Sequence, residues 1–329
     1  MDQATVRVPS STANAGRGYD IWAFGVKEPY LDVTCMRTAR DVEIECYSPY
    51  QPPESRVFGY TAKEAVKSFL AEFGIEDGVR ILFNDSSGGY PAGGLGRSGA
   101  EIVGALASVA ALYGKRLTRE RLIDLSNRAE GHPDNVAASV NGKFNIMTFS
   151  PFGGRLIVDR YPVHGDFGLA IGFSSHKKTG GTEAGRRLLR DPLPSPITAE
   201  DFVSQTGAVS MLTGAIINGN IDNFLELIWD DTFHEPRRAD AGFYGNFSAR
   251  EFFGLKRRIF SDCHAGLCVS GAGPNMQLWY DKREYPQGAD EVFAQTASQF
   301  RKWGIDMNFR EVEIAESGAY DYAAGHYSL

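Results

Sequence analysis

Y-P-A-G-G-L-G-R-S-G-A-E-I-V-G-A-L-A-S-V-A-A-L-Y, residues 90–113, places four glycines within seven positions (Gly93, Gly94, Gly96, Gly99) directly before an apolar run of helical period, Ile102, Val103, Leu106, Val109 and Leu112. Glycine adopts positive φ without penalty and lets backbone N–H groups come close to a ligand. The first turn of a helix leaves N–H groups without intrahelical acceptors and carries the positive end of the dipole. A tight glycine loop feeding a buried helix is therefore suited to an anion. Ser98 adds a hydroxyl where a phosphate or its Mg²⁺ would sit, and Arg97 adds a cation. The competing reading is a glycine turn ahead of a core helix. The order Gly-Arg-Ser-Gly is not the Gly-Lys-Ser/Thr ending of a Walker A loop. Gly94, Gly96 and Gly99 match dinucleotide-fingerprint spacing, a weak pattern on its own.

Around this stretch the chain has 329 residues, enough for two domains with their own cores. With 34 Lys and Arg against 41 Asp and Glu, the formal net charge is −7, and no basic stripe stands out, which argues against a nucleic-acid binder. The 102–113 helix is too short and too alanine-rich to span a bilayer, and M-D-Q-A-T-V-R-V-P at the start lacks the character of a signal peptide. Cys35, Cys46, Cys263 and Cys268 form no C-x-x-C pair and no metal-ligand spacing. Reduced thiols in a cytoplasmic protein are the default reading.

In chain order, residues 4–8 alternate as a strand and lead into P-S-S-T-A-N-A-G-R-G-Y-D, residues 9–20, whose small and turn-forming residues predict a loop carrying Asn14 and Asp20. Strands are expected at 30–34, 41–47 and 79–84, and an amphipathic helix over 61–74 opened by Thr61. Thr118 is the expected cap of a helix that ends in E-G-H-P-D-N, residues 130–135. That segment packs Glu130, His132, Asp134 and Asn135 around a glycine and a proline. Glu130 suits Mg²⁺, a hard cation that favours carboxylate oxygen; His132 and Asn135 are candidate hydrogen-bonding groups for a polar ligand, or His132 simply closes a helix end.

From about 155 the pattern restarts, with strands at 155–159 and 167–173 and a polar loop, S-S-H-K-K-T-G-G-T-E-A-G-R-R, over 174–187. Helices are expected at 199–218, 221–229, 250–261 and 288–303. A strand, a turn at Gly271 and Gly273 and a second strand fill 265–280, and 308–314 is the last strand. The alternation predicts an α+β chain of two α/β sandwiches divided into 1–153 and 154–329.

Three segments in this order, V-P-S-S-T-A-N-A-G-R-G-Y-D, P-A-G-G-L-G-R-S-G-A and V-S-G-A-G-P-N, resemble the three motifs of the GHMP small-molecule kinases. Within that superfamily E-G-H-P-D-N-V-A-A-S, T-E-A-G-R (182–186) and H-E-P-R-R (234–238) are similar to the homoserine kinase branch. The resemblance implies a two-domain GHMP kinase fold, with an N-terminal ATP-binding domain like ribosomal protein S5 domain 2 and a ferredoxin-like C-terminal domain. It implies ATP phosphates on Pro91, Gly93, Gly94, Leu95, Gly96, Arg97, Ser98, Gly99 and Ala100, and Mg²⁺ on Ser98 and Glu130. The amino acid would meet Asn14, Asp20, His132, Asn135, Arg186, Arg238 and Gly271, with Arg187 or Lys178 as alternatives to Arg186.

The implied activity is transfer of phosphate from ATP to the side-chain hydroxyl of L-homoserine, in threonine biosynthesis, without an aspartate base; Asn14, Asn135, Ser98 and Glu130 are the expected catalytic groups. Alternatives are another small hydroxy acid (L-threonine or a mevalonate-type acid) and a non-catalytic nucleotide binder. Asp20 favours an amino acid, because a mevalonate has no ammonium. A homodimer is implied by the habit of relatives. Arg97 and Arg17 stand where serine and proline are common in the family, so Arg97 either contacts a phosphate or points away.

Overall fold

The computed structural model of the chain describes residues 2–39, 41–47, 59–85, 93–176 and 198–324. These divide into two compact units, neither continuous in sequence: one comprises Met1–Ala13, Asp20–Tyr161 and Glu313–Leu329, the other Asn14–Tyr19 and Pro162–Val312. A boundary at 153/154 would cut the hairpin of β5 (Phe144–Phe149) and β6 (Leu156–Tyr161), which pair from Phe144↔Tyr161 to Phe149↔Leu156. It would also assign Glu313–Leu329 to the second unit, whereas those residues pack in the first.

The first unit is built on a mixed sheet centred on a long strand, β2 (Trp22–Thr38). β2 is flanked by β1 (Gln3–Ala13) along its length, by β5 near its start and by β4 (Gly78–Asn84) near its end; β3 (Val42–Tyr47) runs parallel to β4 at the edge. β1 continues through Ser10, Ser11, Thr12 and Ala13, so the loop expected from residue 9 begins only at Asn14. After a register shift at Pro9/Ser10 these small polar residues pair with Val26–Ala23 and are fully buried. Their turn propensity yields to the ladder because both backbone groups and side chains find partners inside it.

Among the described residues five helices cover the sheet: α1 (Tyr60–Glu72), α2 (Arg97–Leu112), α3 (Arg119–Glu130), α4 (Pro133–Asn141) and, after the second unit, α10 (Ala319–Ala324). α1 is capped by Gly59 rather than opened at Thr61. α2 is the hub, touching β1, β2, α1, α3, α4 and α10, and every one of its residues except Ser98 is buried. Its alanines and Gly104 make this close approach feasible, since a β-carbon on Gly104 would collide with Val33 and Val8. Each fully buried Ile, Val or Leu on it contributes about 1.5–3 kcal/mol relative to exposure. Thr118 caps α3 by accepting the Arg121 N–H at 3.2 Å, as expected.

The second unit carries an antiparallel sheet of order β10-β7-β9-β8, with β7 (Phe167–Ser174), β8 (Gly266–Val269), β9 (Met276–Asp281) and β10 (Met307–Val312). Numbered within the unit this is 4-1-3-2, the ferredoxin-like arrangement. α5 (Ala199–Asn218), α6 (Ile221–Ile228), α7 (His234–Asp240) and α8 (Ala249–Cys263) lie between β7 and β8, and α9 (Asp290–Arg301) between β9 and β10. The core is aromatic: Phe167, Phe224 and Trp279 meet edge to face, and Phe247 stacks on Phe252. Among the described residues no helix is long and apolar enough to cross a membrane.

Candidate active site

In the first unit the glycine loop ends on the start of α2. Gly93, Gly94 and Gly96 all have positive φ (131°, 112° and 65°), and Gly96 is the helix N-cap with no side chain capping the end. The loop is stitched to β1 by the Ser11 N–H donating to Leu95 O at 3.1 Å. A β-carbon on Gly96 would overlap Ser11 Oγ and stand 2.7 Å from Asn135 Oδ1, so the start of α2 is pressed against the start of α4. Ser11 Oγ donates to that same Asn135 Oδ1 at 2.9 Å. Two helix starts thus converge, each with the positive end of its dipole, and the start of α2 adds its first-turn N–H groups.

Ser98, the one residue of α2 that faces outward, donates its hydroxyl to Glu130 Oε2 at 2.6 Å. Glu130 closes α3, and the αL Gly131 then turns the chain to His132, the N-cap of α4. A hydroxyl and a carboxylate paired beside an uncapped helix start form an all-oxygen donor set, which fits Mg²⁺. Ser98 and Glu130 are the residues that would hold it.

At α4, Asn135 keeps its orientation through Asp134, whose Oδ1 accepts the Asn135 N–H at 2.7 Å and its side-chain amide at 3.3 Å. Asp134 is buried, and burial, reinforced by the charge of Asp20, pushes its carboxyl up to about 6. His132 Nδ1 lies 3.5 Å from Asp20 Oδ1. Asp20, His132, Asn135, Ser98, Glu130 and the loop from Gly93 to Ala100 therefore belong to one unit, as does Ser11, a residue of the first motif whose role sequence reasoning missed.

Arg97 does not present its side chain to an anion at the loop. Its guanidinium turns inward, donating to Glu101 Oε1 at 2.9 Å and Asp85 Oδ2 at 3.0 Å, and is buried. Two buried carboxylates outcompete solvent for that charge, so Arg97 offers the loop only its backbone. Burial also pushes the Glu101 carboxyl up to about 7, against the pull of Arg97.

In the second unit a further cluster gathers expected residues. Asn14 adopts φ 62°, and its side-chain amide donates to Gly271 O at 3.2 Å; Arg238 Nη1 donates to the same carbonyl at 3.4 Å. Tyr19 stacks on the His234 ring (centroids 5.0 Å) and lies under the Arg238 guanidinium at 5.7 Å. Pro91, Arg186, Arg187, Lys178 and the T-E-A-G-R segment lie outside the described residues.

Behind Arg238 is a fully buried ionic group that sequence reasoning did not assign: Asp231, His234, Glu235 and Lys256. Ligand atoms of the first three lie within 4.8 Å of one another, a grouping that could hold a metal ion. The oxygens of both carboxylates already have protein donors. Asp231 accepts from the N–H groups of Phe233 (2.7 Å) and Glu235 (3.0 Å) and stands 2.5 Å from His234 Nδ1. Glu235 takes the Val269 N–H at 2.7 Å and the Lys256 ammonium. Although burial opposes it, the charges of His234 and Lys256 and the hydrogen bond from His234 hold the Asp231 carboxyl down at about 2. The group is an internal ion network that fixes α7 and the strand end leading to Gly271.

Residues 60–143 match the family described as GHMP kinases N terminal domain. The homoserine kinase of Thermoplasma volcanium is 26% identical over 321 residues, covering 95% of both chains. That of Corynebacterium aurimucosum is 29% identical over 288 residues, covering 84% of this chain and 86% of its own. The crystal structure of homoserine kinase from Cytophaga hutchinsonii has a TM-score of 0.77 at 22% identity, covering 97% of this chain and 96% of its own.

Proposed function

We propose that this chain, which belongs to the GHMP kinases, transfers the γ-phosphoryl group of ATP to the side-chain hydroxyl of L-homoserine. The observation that carries this reading is the contact between the starts of α2 and α4, where Gly96 meets Asn135. It sets the amides that would hold the donor's phosphates beside a side chain that can hold the acceptor's hydroxyl. The relatives' names supply the substrate class.

In this reading the backbone from Gly93 to Ala100 cradles the phosphates and neutralises charge that grows as the bond to the leaving oxygen breaks. Ser98 and Glu130 would hold Mg²⁺, which would supply neutralisation of the phosphate charge. Asn135, fixed by Ser11 and Asp134, aligns the acceptor oxygen. That oxygen attacks the γ-phosphorus, ADP departs, and the hydroxyl proton passes to a transferred phosphoryl oxygen or to water. Asp20 and His132 meet the acceptor's ammonium and polar edge. For the second unit's cluster, Arg238 supplies the cation for a carboxylate, with Asn14 and the Gly271 carbonyl as polar contacts.

The test is ADP release with homoserine, threonine and mevalonate side by side. Turnover with homoserine at a kcat/KM well above the other two is the expected result. Equal rates, or preference for mevalonate, would overturn the substrate; nucleotide binding with no acceptor phosphorylated would overturn the activity. Full kcat in Asn135→Ala would remove Asn135 from the mechanism.

A further inference from the structure

We propose that Arg17 is a positioning residue, mooring the Asn14–Tyr19 segment so that Asn14 and Tyr19 are held in the arrangement seen around Gly271 and Arg238. The proposal rests on the functional reading above for its kinetic readout, and on geometry alone for its structural one.

The segment is short and conformationally unusual. Asn14 has φ 62° and Gly16 φ 52°. Gly18 N–H closes a tight turn onto Ala15 O at 3.0 Å. A side chain at Gly16 would overlap the Ile228 carbonyl oxygen, so the turn lies flush against the end of α6. A non-glycine residue in the left-handed region persists only when its surroundings over-determine it.

Arg17 supplies much of that determination. It is buried to 9% exposure; its guanidinium pairs with Asp230 and donates through Nη1 to Ser204 Oγ at 3.0 Å. Its own carbonyl accepts the Gln205 side-chain amide at 2.8 Å. One residue therefore ties the middle of the segment to α5 and to the chain just beyond α6. A planar fork is needed to reach Asp230 and Ser204 together, which a lysine ammonium cannot reproduce.

Either side of this tether sit the groups with a proposed role. Asn14 donates to Gly271 O, which also receives Arg238, and the Tyr19 ring contacts both the His234 ring and the Arg238 guanidinium. Among the described residues the hydrogen bonds and ion pair of Arg17 go to Ser204, Gln205 and Asp230 rather than to Gly271, His234 or Arg238. Its effect on them runs through the backbone of the segment.

The experiment compares wild type with Arg17→Ala, Arg17→Lys, Asp230→Asn and the Arg17→Ala/Asp230→Asn double variant. Hydrogen exchange of the amides from Ala15 to Tyr19 is measured beside steady-state kinetics. Loss of one charge-assisted tether is expected to raise the homoserine KM about tenfold, with the ATP KM unchanged and amide exchange over 15–19 accelerated. Arg17→Lys should recover part of the loss, and the double variant should be no worse than Arg17→Ala. Unchanged exchange over 15–19 in Arg17→Ala, or equal increases in both KM values, would overturn the proposal. If wild type phosphorylates no acceptor, the functional reading fails, and hydrogen exchange in Arg17→Ala and Asp230→Asn still decides the mooring. Should Arg17→Ala fail to fold, Asp230→Asn and Arg17→Lys carry the same comparison.

Discussion

Ser98 and Glu130 share a hydrogen bond of 2.6 Å, the outward-facing residue of a helix otherwise buried along its length joined to the last residue of the next helix. The pair gives the start of α2 a carboxylate that the helix's own first turn lacks. Glu130→Gln keeps the size and an acceptor for Ser98 but removes the charge. It is expected to lower kcat roughly a hundredfold and to raise the Mg²⁺ concentration needed for half-maximal rate, with little change in Tm. A Mg²⁺ titration at saturating ATP checks it.

Gly96→Ala places a β-carbon against Ser11 Oγ and Asn135 at φ 65°. The strain is expected to cost about 1–3 kcal/mol of stability. More tellingly, kcat should fall, because the new carbon displaces the two side chains that set the acceptor's place. Ser11→Ala relieves the overlap with Oγ alone, so the double variant should regain stability sooner than rate. Thermal unfolding and kcat, measured together, separate the two effects.

The pH dependence of stability follows from Glu101. Its carboxyl is raised by burial to about 7 from an ordinary 4.5, so the folded state holds a proton that the unfolded state releases earlier. The stability this contributes is fully present below about pH 4.5 and is lost as pH rises through about 7. Asp134, raised to about 6, acts in the same direction. Asp231, held at about 2, acts oppositely: its contribution is present above pH 3.8 and is lost as pH falls through about 2. Glu101→Gln is expected to flatten the decline in Tm between pH 5 and 7 and to leave the residual slope of Asp134. A Tm series across that range in both proteins is the check.

Lys256→Met leaves Glu235 buried and unpaired, and unfolding by denaturant should show a loss of about 3–5 kcal/mol. Adding Glu235→Gln should recover a large part of it. A chelator should leave the Tm of the wild type unchanged, since protein donors already fill the ligand positions of Asp231 and Glu235. A Tm lowered by the chelator and restored by a transition metal would show that the grouping is a metal site.

The readable parts of this molecule were those governed by local rules. The capping of α3 by Thr118, the apolar period of α2 and the strands at 79–84 and 167–173 follow from side-chain pattern within a few residues. What escaped depends on partners far along the chain. Ser10, Ser11 and Thr12 read as turn formers because nothing nearby shows that β2 waits to pair with them. Arg97 read as an open question because Asp85 lies twelve residues earlier, although Glu101 one helical turn on was a visible hint. The Asn14–Gly271 hydrogen bond spans 257 residues and has no local signature. Family motifs nevertheless point to Asn14, Arg238 and Gly271 as expected contacts, whereas they give no role to Ser11, Arg17, Tyr19 or His234.

The return of residues Glu313–Leu329 to the first unit sets an order of assembly. Ile314 bridges Val26, Ala315 exchanges hydrogen bonds with Gly25 and Lys143, and Asp321 takes the Arg119 guanidinium. On the ribosome these partners emerge only after the whole second unit has been synthesised. The first unit is thus closed only once the second has been made, and a polypeptide stopped short of residue 313 leaves β2 without these contacts.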